Sequence, residues 1–271
     1  MDKDTRTYSI IVVTYNNAEG LHRTLESIRL LDYSKKEVIV IDGGSQDNTT
    51  EVVHEYDNII TTFVSEKDNG VYNAMNKGIK YVTADYVVFM NAGDVFSDSN
   101  VLTLVNEYEA DIILGGEIYD GIARNVKPQM TLYDILSIGI NHQAVYYRQD
   151  ILKKYGFDES YRISADLKSV VEPLAKDNIS LACIPEILAT CEGGGISKKF
   201  WKETINEKRR MIDEVIDPLY RDDYLKFAFV NNTLLDDFII ISYFKKTFPI
   251  ITCLAKAVAF INKKIKHIPI G

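Results

Sequence analysis

Polar side chains follow four apolar runs in the N-terminal part of the chain, and their types suit an anionic ligand. The runs end in Thr14-Tyr15-Asn16-Asn17, Asp42-Gly43-Gly44-Ser45, Ser65-Glu66-Lys67-Asp68 and Asn91-Ala92-Gly93-Asp94. Glycine lets a backbone approach a ligand closely, and a carboxylate such as that of Asp42 accepts hydrogen bonds from a ribose or a base. Any solvated edge is polar, so one cluster carries little weight. The four together favour a nucleotide or a similar ligand.

The segments that precede these clusters predict strands that alternate with helices. Compact, β-branched runs indicate buried strands. Between these runs, apolar residues such as Leu21, Leu25 and Ile28 recur at helical spacing, which predicts helices. The predicted strands are 8–14, 37–42, 58–64, 85–91 and 111–116. This alternation is typical of βαβ units in a mainly parallel sheet. Ligands of such sheets bind beyond the carboxyl ends of the strands, so the four polar clusters should meet there.

The alternation weakens after about residue 124. The later pattern predicts helices over 128–139, 148–155, 165–175 and 200–216, a strand over 142–148, one or two strands over 179–190, and a glycine-rich loop over 193–197. The predicted fold is therefore α/β, with a catalytic domain over 1–200 and a helical C-terminal extension over 201–271. Within the domain, we expect a nucleotide half over about 1–115 and an acceptor half over about 116–200.

The composition of the chain limits the partners and the cellular compartment that we expect. The net charge of −8 argues against general nucleic-acid binding, which requires a basic face. Cys183, Cys191 and Cys253 are odd in number and lack CxxC spacing, which favours a reducing, cytoplasmic compartment. The N-terminus has no secretory signal pattern, and no apolar run approaches the roughly 20 residues of a membrane span.

Two nucleotide-binding classes are disfavoured by the turn after the first strand. A dinucleotide-binding sheet carries GxGxxG at that turn, whereas this chain has TYNNAEG. Only Asp42, in the place of a ribose-binding acid, fits that class. The GxxxxGK[ST] phosphate loop is also absent from the sequence.

The motifs in chain order resemble those of the family 2 glycosyltransferases, which have a GT-A fold. The resemblance rests on SIIVVTYNNAEGLHRTLESI, EVIVIDGGSQDNT, EKDNGVYNAMNKGI and VFMNAGD, then HQAVYYRQDILKKYGFDESYRISAD and GGGIS. The last two are similar to the subset that builds bacterial surface polysaccharides. The resemblance covers roughly residues 8–200. It implies an inverting transferase that uses a nucleotide-diphospho-sugar donor and a divalent metal, Mg²⁺ or Mn²⁺.

The resemblance places Asn91-Ala92-Gly93-Asp94 at the family's DxD element, which supplies carboxylates near the donor diphosphate. It implies Asp94 as a metal ligand and Asn91 as a neutral oxygen ligand or a contact to a sugar hydroxyl. Because one acid stands where the family has two, we expect the metal to be held mainly through phosphate oxygens. The structural alternative is that Asp94 caps the next helix, a place that Ser97 or Asp98 would also fill.

The resemblance also implies a catalytic base. Inversion by direct displacement needs a group that deprotonates the acceptor hydroxyl, and the family pattern places that carboxylate at Asp166. The alternative is that Asp166 only caps the helix that starts at Leu167. Lys168 stands where family members often carry a further acid.

The remaining implied contacts lie on the donor side. His142 would contact the acceptor or the diphosphate, with a purely structural histidine as the alternative. Gly193–Ser197 would close over the donor as a lid or form a plain surface loop. The residues implied to bind the nucleoside and donor are Thr14, Tyr15, Asn17, Asp42, Gly43 and Asp68, together with Asn91 and Asp94.

The C-terminal segment is apolar with interleaved lysines and has no acid after Asp237. It predicts either helices that pack on the catalytic domain or on a second copy of the chain, or docking on the anionic inner face of a membrane. The acceptor would be a carbohydrate or a lipid-linked sugar. Two other functions stay open: a nucleotide-sugar-binding scaffold without transferase activity, and a nucleotidyltransferase that releases pyrophosphate.

Overall fold

The computed structural model describes residues 6–177, 179–193 and 199–227. The fold is built around strand β1 (Tyr8–Thr14), which is buried along its whole length. Its Ile and Val residues suit a strand covered on both faces, because β-branched side chains pack well on a pleated surface. Two neighbouring strands pair with β1 in parallel, and helices cover the faces.

The strands after β1 are β2 (Lys36–Asp42), β3 (Thr62–Ser65), β4 (Tyr86–Asn91), β5 (Val95–Phe96), β6 (Ile112–Tyr119), β7 (Ile122–Arg124), β8 (Val145–Arg148) and β9 (Leu181–Cys191). The described strands form one sheet in the order β3-β2-β1-β4-β8-β6-β9-β5, and β7 pairs with β6.

The parallel part of the sheet is confined to two blocks. Strands β3, β2, β1 and β4 pair in parallel, as do β6 and β9, whereas β8 is antiparallel to both β4 and β6. The predicted α/β class is confirmed: the long ladders are parallel, and short antiparallel ladders make the sheet mixed as a whole. One cause is the tight hairpin between β6 and β7, where Asp120 and Gly121 both have positive φ, as a two-residue turn of the Asp-Gly type requires.

Helices follow most strands and present the predicted apolar stripes. In the first of them, Leu21, Leu25 and Ile28 are fully buried. The helices are α1 (Ala18–Arg29), α2 (Thr49–Glu55), α3 (Val71–Ile79), α4 (Val101–Val105), α5 (Leu132–Ile138), α6 (Gln149–Tyr155), α7 (Ala165–Lys176), α8 (Trp201–Val215) and α9 (Pro218–Phe227). A single 3₁₀ turn, His142–Ala144, precedes β8 where a continuous strand was predicted.

Helix α8 packs against the start of α7. The Glu207 carboxylate accepts hydrogen bonds from the backbone N–H groups of Arg162, Ile163 and Ser164. Lys168, which is buried, donates to Glu214 on the same helix. Helix α8 therefore belongs to the same packed unit as the sheet, although the predicted C-terminal extension begins at residue 201.

The chain divides into two units, residues 1–225 and 226–271. The second unit lies almost wholly outside the described residues, and so do the predicted membrane or subunit contact and most of the predicted 193–197 loop. Within the described ranges, no helix is long and apolar enough to cross a bilayer. Cys183 and Cys191 are buried free thiols.

Gly78 permits close contact between α3 and the sheet. A Cβ at this position would lie 2.6 Å from Cγ2 of Ile11, which is fully buried. We expect Gly78→Ala to lower the free energy of unfolding. Overpacking costs about 1–3 kcal/mol, which exceeds the gain of up to about 1 kcal/mol in helix propensity.

Denaturant titration checks this expectation, with Lys80→Ala, an exposed change at the end of the same helix, as the control. A midpoint for Gly78→Ala equal to or above that of the wild type would contradict the packing argument.

Candidate active site

The loop after β4 is held in place by helix α1. The hydroxyl of Thr24 accepts from Gly93 N at 2.9 Å and donates to the carbonyl of Asp94 at 2.7 Å. The Asn17 side chain donates to the carbonyl of Ala92 at 2.8 Å. This loop is the predicted Asn91–Asp94 element, and its backbone is fixed by polar side chains of the neighbouring helix.

The carboxylate of Asp94 is buried and bonded at both oxygens. Its Oδ1 accepts from the backbone N–H of Glu192 at 2.9 Å, and its Oδ2 accepts from Nε2 of Gln143. Burial raises the pKa of Asp94, because these donors are neutral and compensate only part of the lost solvation. Asp94 does not cap α4, whose N-cap is Asn100. The capping alternative is therefore wrong.

Gly93 makes room for a second carboxylate beside Asp94. It has φ of +112°, which favours glycine, and a Cβ there would lie 2.6 Å from Oε2 of Glu192. Glu192 also pairs with Arg23 of α1. A second carboxylate, that of Glu192 directly after β9, thus lies against Gly93 in the loop that carries Asp94.

His142 joins the loop after β4 to the start of α7. Its Nε2 lies 3.3 Å from Oδ1 of Asn91, and its Nδ1 lies 3.3 Å from Oδ2 of Asp166. A neutral imidazole can donate to only one of these oxygens, whereas the protonated ring can donate to both. The buried His142 ring therefore connects Asn91 to Asp166, two residues that the sequence also singled out.

The carboxylate of Asp166 is oriented by three groups. Oδ1 accepts from the backbone N–H of Leu167 at 2.8 Å and lies 3.1 Å from the hydroxyl of Tyr72, and Oδ2 faces His142. The single proton of the Tyr72 hydroxyl is shared between Asp166 and the carbonyl of Ile163, which is 2.6 Å away. Burial, and secondarily the charge of Asp166, raises the pKa of Tyr72, so its hydroxyl remains a proton donor. Helix α7 has Ser164 as its N-cap, and Asp166 projects from its first turn.

These side chains line one cavity of about 820 Å³. The cavity contains Asn91, Asp94, His142 and Asp166, which the sequence predicted, and Gln143, which it did not. The side chain of Lys208 also reaches it from α8 and donates to the carbonyl of Leu136. Burial lowers the pKa of Lys208.

Glu117 is a further cavity residue that sequence reasoning missed. It lies on β6 and is 7% exposed. Its Oε1 accepts from the Asn141 side chain at 2.7 Å, and Arg124 lies 3.5 Å away. Burial raises the pKa of Glu117 to about 7. The available signal was a single acid inside the apolar run IILGGEIY.

Some predicted donor contacts gather at the carboxyl ends of β1 and β2, outside the lining of the cavity. A Cβ on Gly43 would lie 2.5 Å from the Asp68 carboxylate and 3.1 Å from the Tyr15 ring, so Gly43 lets these side chains converge. Tyr15 is 64% exposed, which leaves its ring open to stacking. The buried Thr14 hydroxyl has no hydrogen-bond partner among the described groups.

Two other predicted contacts have their polar atoms bound within the protein. The Asp42 carboxylate, 1% exposed, accepts from the backbone and hydroxyl of Ser45 and from the Ser65 hydroxyl. The Asn17 amide caps α1 by accepting from Gly20 N and holds the Ala92 carbonyl. Both residues reach the predicted edge, where they shape turns.

The oxygen donors of the Asp94 loop suit Mg²⁺ or Mn²⁺, which prefer carboxylate, phosphate and water oxygens. Asp94 and Glu192 supply two neighbouring carboxylates, and each oxygen of Asp94 retains lone-pair capacity beyond its one bond. In the described ranges, no three side chains of the His, Cys, Asp or Glu type form a metal-binding group. Asp94 and Glu192 therefore offer oxygen ligands of a type that fits either metal.

Comparison with known proteins agrees with this geometry. The model of the family described as glycosyl transferase family 2 matches residues 9–165, and the chain belongs to that family. The predicted family and enzyme class are thereby confirmed.

The relatives and solved structures extend the comparison to the fold. The poly-β-1,6-N-acetyl-D-glucosamine synthase of Staphylococcus epidermidis is 35% identical over 109 residues, which are 40% of this chain and 26% of that protein. The chain thus spans about a quarter of the length of this relative. Among solved structures, TarS 1–349 of S. aureus in complex with UDP-GlcNAc matches with a TM-score of 0.62 and 19% identity, over 81% of this chain and 70% of that one.

A third similar protein is the mannosyltransferase PcManGT of Pyrobaculum calidifontis in complex with GDP-Man and Mn²⁺. It matches with a TM-score of 0.57 and 17% identity, over 94% of this chain and 80% of that one. At such identities, the structural matches show the fold, and the predicted GT-A-like architecture is confirmed.

The buried Glu117 makes stability depend on pH. Its pKa is raised from 4.5 to about 7 in the folded state, so the folded chain binds the proton more tightly than the unfolded chain. The free energy of unfolding therefore falls as pH rises between these values. We expect Glu117→Gln to be more stable than the wild type above pH 7, by roughly 2–3 kcal/mol.

Chemical denaturation of the wild type and of Glu117→Gln at about pH 5 and about pH 8 checks this expectation. The difference between their free energies of unfolding should be smaller at the lower pH. The matched control is Glu186→Gln, the same change at an exposed position on β9. A pH-independent difference for Glu117→Gln would show that the carboxyl group is not destabilised by burial.

Proposed function

We propose that the protein is an inverting glycosyltransferase that moves a sugar from a nucleotide-diphospho-sugar to an acceptor hydroxyl. The observation that carries the proposal is the hydrogen-bonded series Asn91–His142–Asp166 in one cavity. It connects the loop suited to a diphosphate with a carboxylate suited to deprotonate an acceptor. A nucleotide-binding scaffold would not need the second of these groups.

The donor would lie across the carboxyl ends of β1, β2 and β4. The nucleoside would contact Tyr15, Asp68 and the Thr14 hydroxyl, which has no partner among the described groups. Gly43 leaves the backbone open there, while Asp42 and Asn17 act by holding the turns that form the site. The diphosphate would approach the Asn91–Asp94 loop.

Asp94 would hold a divalent metal, with Glu192 beside it. The metal supplies positive charge that neutralises the leaving diphosphate. The fit of the oxygen donors at this loop supports the assignment, as does the Mn²⁺ in the PcManGT complex. Asn91 would present its amide to a phosphate or a sugar hydroxyl.

Asp166 would take the acceptor proton. The acceptor oxygen attacks the anomeric carbon, the bond from that carbon to the phosphate oxygen breaks, and the nucleoside diphosphate leaves with the bonding electron pair. Tyr72 and His142 orient the carboxylate. Such preorganisation keeps the base within reach of the hydroxyl without a rearrangement during reaction.

The relatives and the sequence support a proposal for the acceptor class and the location. A carbohydrate or lipid-linked sugar, built into a bacterial surface polysaccharide or glycolipid, fits the activity named for the Staphylococcus epidermidis synthase. A cytoplasmic location at the inner membrane face would bring the protein close to a lipid-linked acceptor. Residues 1–115 and 116–200 would form the donor and acceptor halves.

The role of Asp166 is tested by Asp166→Asn. The amide keeps the shape and can still accept from Tyr72 but cannot take a proton, so we expect transfer to fall by about 10²–10⁴-fold. Nucleotide affinity, measured by calorimetry, should be unchanged. Undiminished turnover would remove Asp166 as the base. Donor binding by the wild type with no transfer to any acceptor would favour the scaffold function.

The role of Asp94 is tested by Asp94→Asn. The new amide can still accept from Glu192 N, and rotation of the Gln143 amide would restore the second bond, so the fold should persist. We expect the Mn²⁺-dependent affinity for a nucleoside diphosphate to fall by about 10–100-fold, because a charged metal ligand is lost. Calorimetry with and without Mn²⁺ measures this. Equal Mn²⁺-dependent affinities would mean that Asp94 has only a structural role.

A further inference from the structure

Glu117 differs from the other two acids of the cavity in how its oxygens are bonded. Asp94 and Asp166 are engaged by protein groups at both carboxylate oxygens. For Glu117, the Asn141 and Arg124 contacts both fall on Oε1, and among the described residues no group donates to Oε2. One oxygen of this buried carboxylate is therefore left for a ligand.

A structural role does not account for a carboxylate at this position. Burying a charge is costly unless it is paired and fully hydrogen-bonded. The Arg124 side chain is 46% exposed and 3.5 Å away, so it is a weak partner. A glutamine would accept from Asn141 equally well without the cost of ionisation. The charged group is therefore best explained by something that it binds.

We propose that Glu117 accepts a hydrogen bond from a hydroxyl group of the sugar acceptor, other than the hydroxyl that attacks the donor. This inference rests on the proposed function. Glu117 lies on β6 and lines the same cavity as Asp166. Its hydrogen-bond donor Asn141 directly precedes His142, which contacts Asp166. Glu117 is thus placed in the cavity of the base, in the half of the chain beyond β4.

The chemistry of the group defines the acceptor class at this subsite. A carboxylate oxygen with no donor of its own attracts hydroxyl groups and repels phosphate or carboxylate groups. The acceptor sugar should therefore present a free hydroxyl here, and a charged substituent at the same ring position should be rejected. Glu117 would act as a specificity-determining residue, and Asn141 and Arg124 would hold its Oε1.

Ionisation of Glu117 should control this contact. The charged groups that face it are Arg124 on β7, His142 on the 3₁₀ turn and Asp166 on α7, and the Cys191 thiol faces it from β9. Because burial raises the pKa of Glu117 to about 7, acceptor affinity should increase as pH rises through neutrality.

The test uses the full-length chain saturated with Mn²⁺ and whichever of UDP, GDP, CDP or dTDP binds by calorimetry. Neutral methyl glycosides of glucose, galactose, mannose and N-acetylglucosamine are then titrated, and binding is followed by saturation-transfer NMR. We expect Glu117→Gln to weaken the best glycoside by about 10–100-fold, as expected for a lost hydrogen bond to a charged group. Nucleotide affinity should not change.

Two further variants separate this role from others. Glu117→Asp keeps the charge but withdraws it from the glycoside, so glycoside binding should weaken. The rise in glycoside affinity with pH should be retained in Glu117→Asp and lost in Glu117→Gln. Glu186→Gln, outside the cavity lining, should match the wild type. In steady-state transfer, the acceptor KM should rise in Glu117→Gln with little change in kcat. A lost kcat at saturating acceptor would make Glu117 part of the proton transfer and overturn the inference.

The outcomes also distinguish failure of this inference from failure of the proposed function. A wild-type chain that binds none of the nucleotides contradicts the glycosyltransferase proposal. If nucleotide binding is intact, glycoside affinity that is equal in the wild type and Glu117→Gln overturns the role of Glu117. So does the absence of binding by every glycoside to the wild-type complex.

Discussion

The contact of His142 with both Asn91 and Asp166 is the interaction on which the site depends. It exists because β8 runs antiparallel to β4. The residues just before β8 are thereby delivered to the carboxyl end of β4, where the parallel block of the sheet presents its polar loop. A parallel β8 would place His142 at the opposite edge of the sheet. The mixed topology is thus a requirement of the site.

The two cavity acids that the sequence predicted, Asp94 and Asp166, are held without lysine or arginine hydrogen-bond donors. Asp94 is bonded by an amide side chain and a backbone N–H, and Asp166 by a phenol, a backbone N–H and an imidazole. Arg124, at the rim, is the direct cationic partner of Glu117. Carboxylates such as those of Asp94 and Asp166, which are fixed by neutral or imidazole donors, favour ligands that bring positive charge or hydroxyl donors. A metal-bound diphosphate and a sugar provide these two.

The residues that could be predicted from the sequence are those whose position follows from local pattern. Asn91 and Asp94 come directly after a strongly apolar strand, so their arrival at the ligand edge required only the rule for parallel sheets. Asp166 and His142 needed the family resemblance, because no local pattern distinguishes them from a capping acid or a structural histidine.

The roles of the site residues that were not predicted depend on contacts between distant parts of the chain. Gln143 and Thr24 matter because they reach the Asp94 loop, and Glu117 matters because β6 lies beside β8 and β9. Two residues predicted to contact the donor also have local hydrogen bonds within the protein. Asp42 and Asn17 are of the types that bond nearby backbone groups in turns and caps, and they do so here, at the cost of free polar atoms for a ligand.

These long-range bonds mean that the donor half of the fold is not a self-contained nucleotide-binding module. Asp94 comes from the N-terminal half, but both its hydrogen-bond donors, Gln143 and Glu192 N, come from the other half. The short strand β5, which follows Asp94 directly, pairs with β9. If residues beyond 115 were removed, a buried carboxylate would lose both donors at once, which is among the costliest changes for a folded chain. The loop backbone is held by Thr24 and Asn17, but the Asp94 carboxylate is held only when residues beyond 115 are in place. In the proposed function, donor binding would therefore depend on the part of the chain that would select the acceptor.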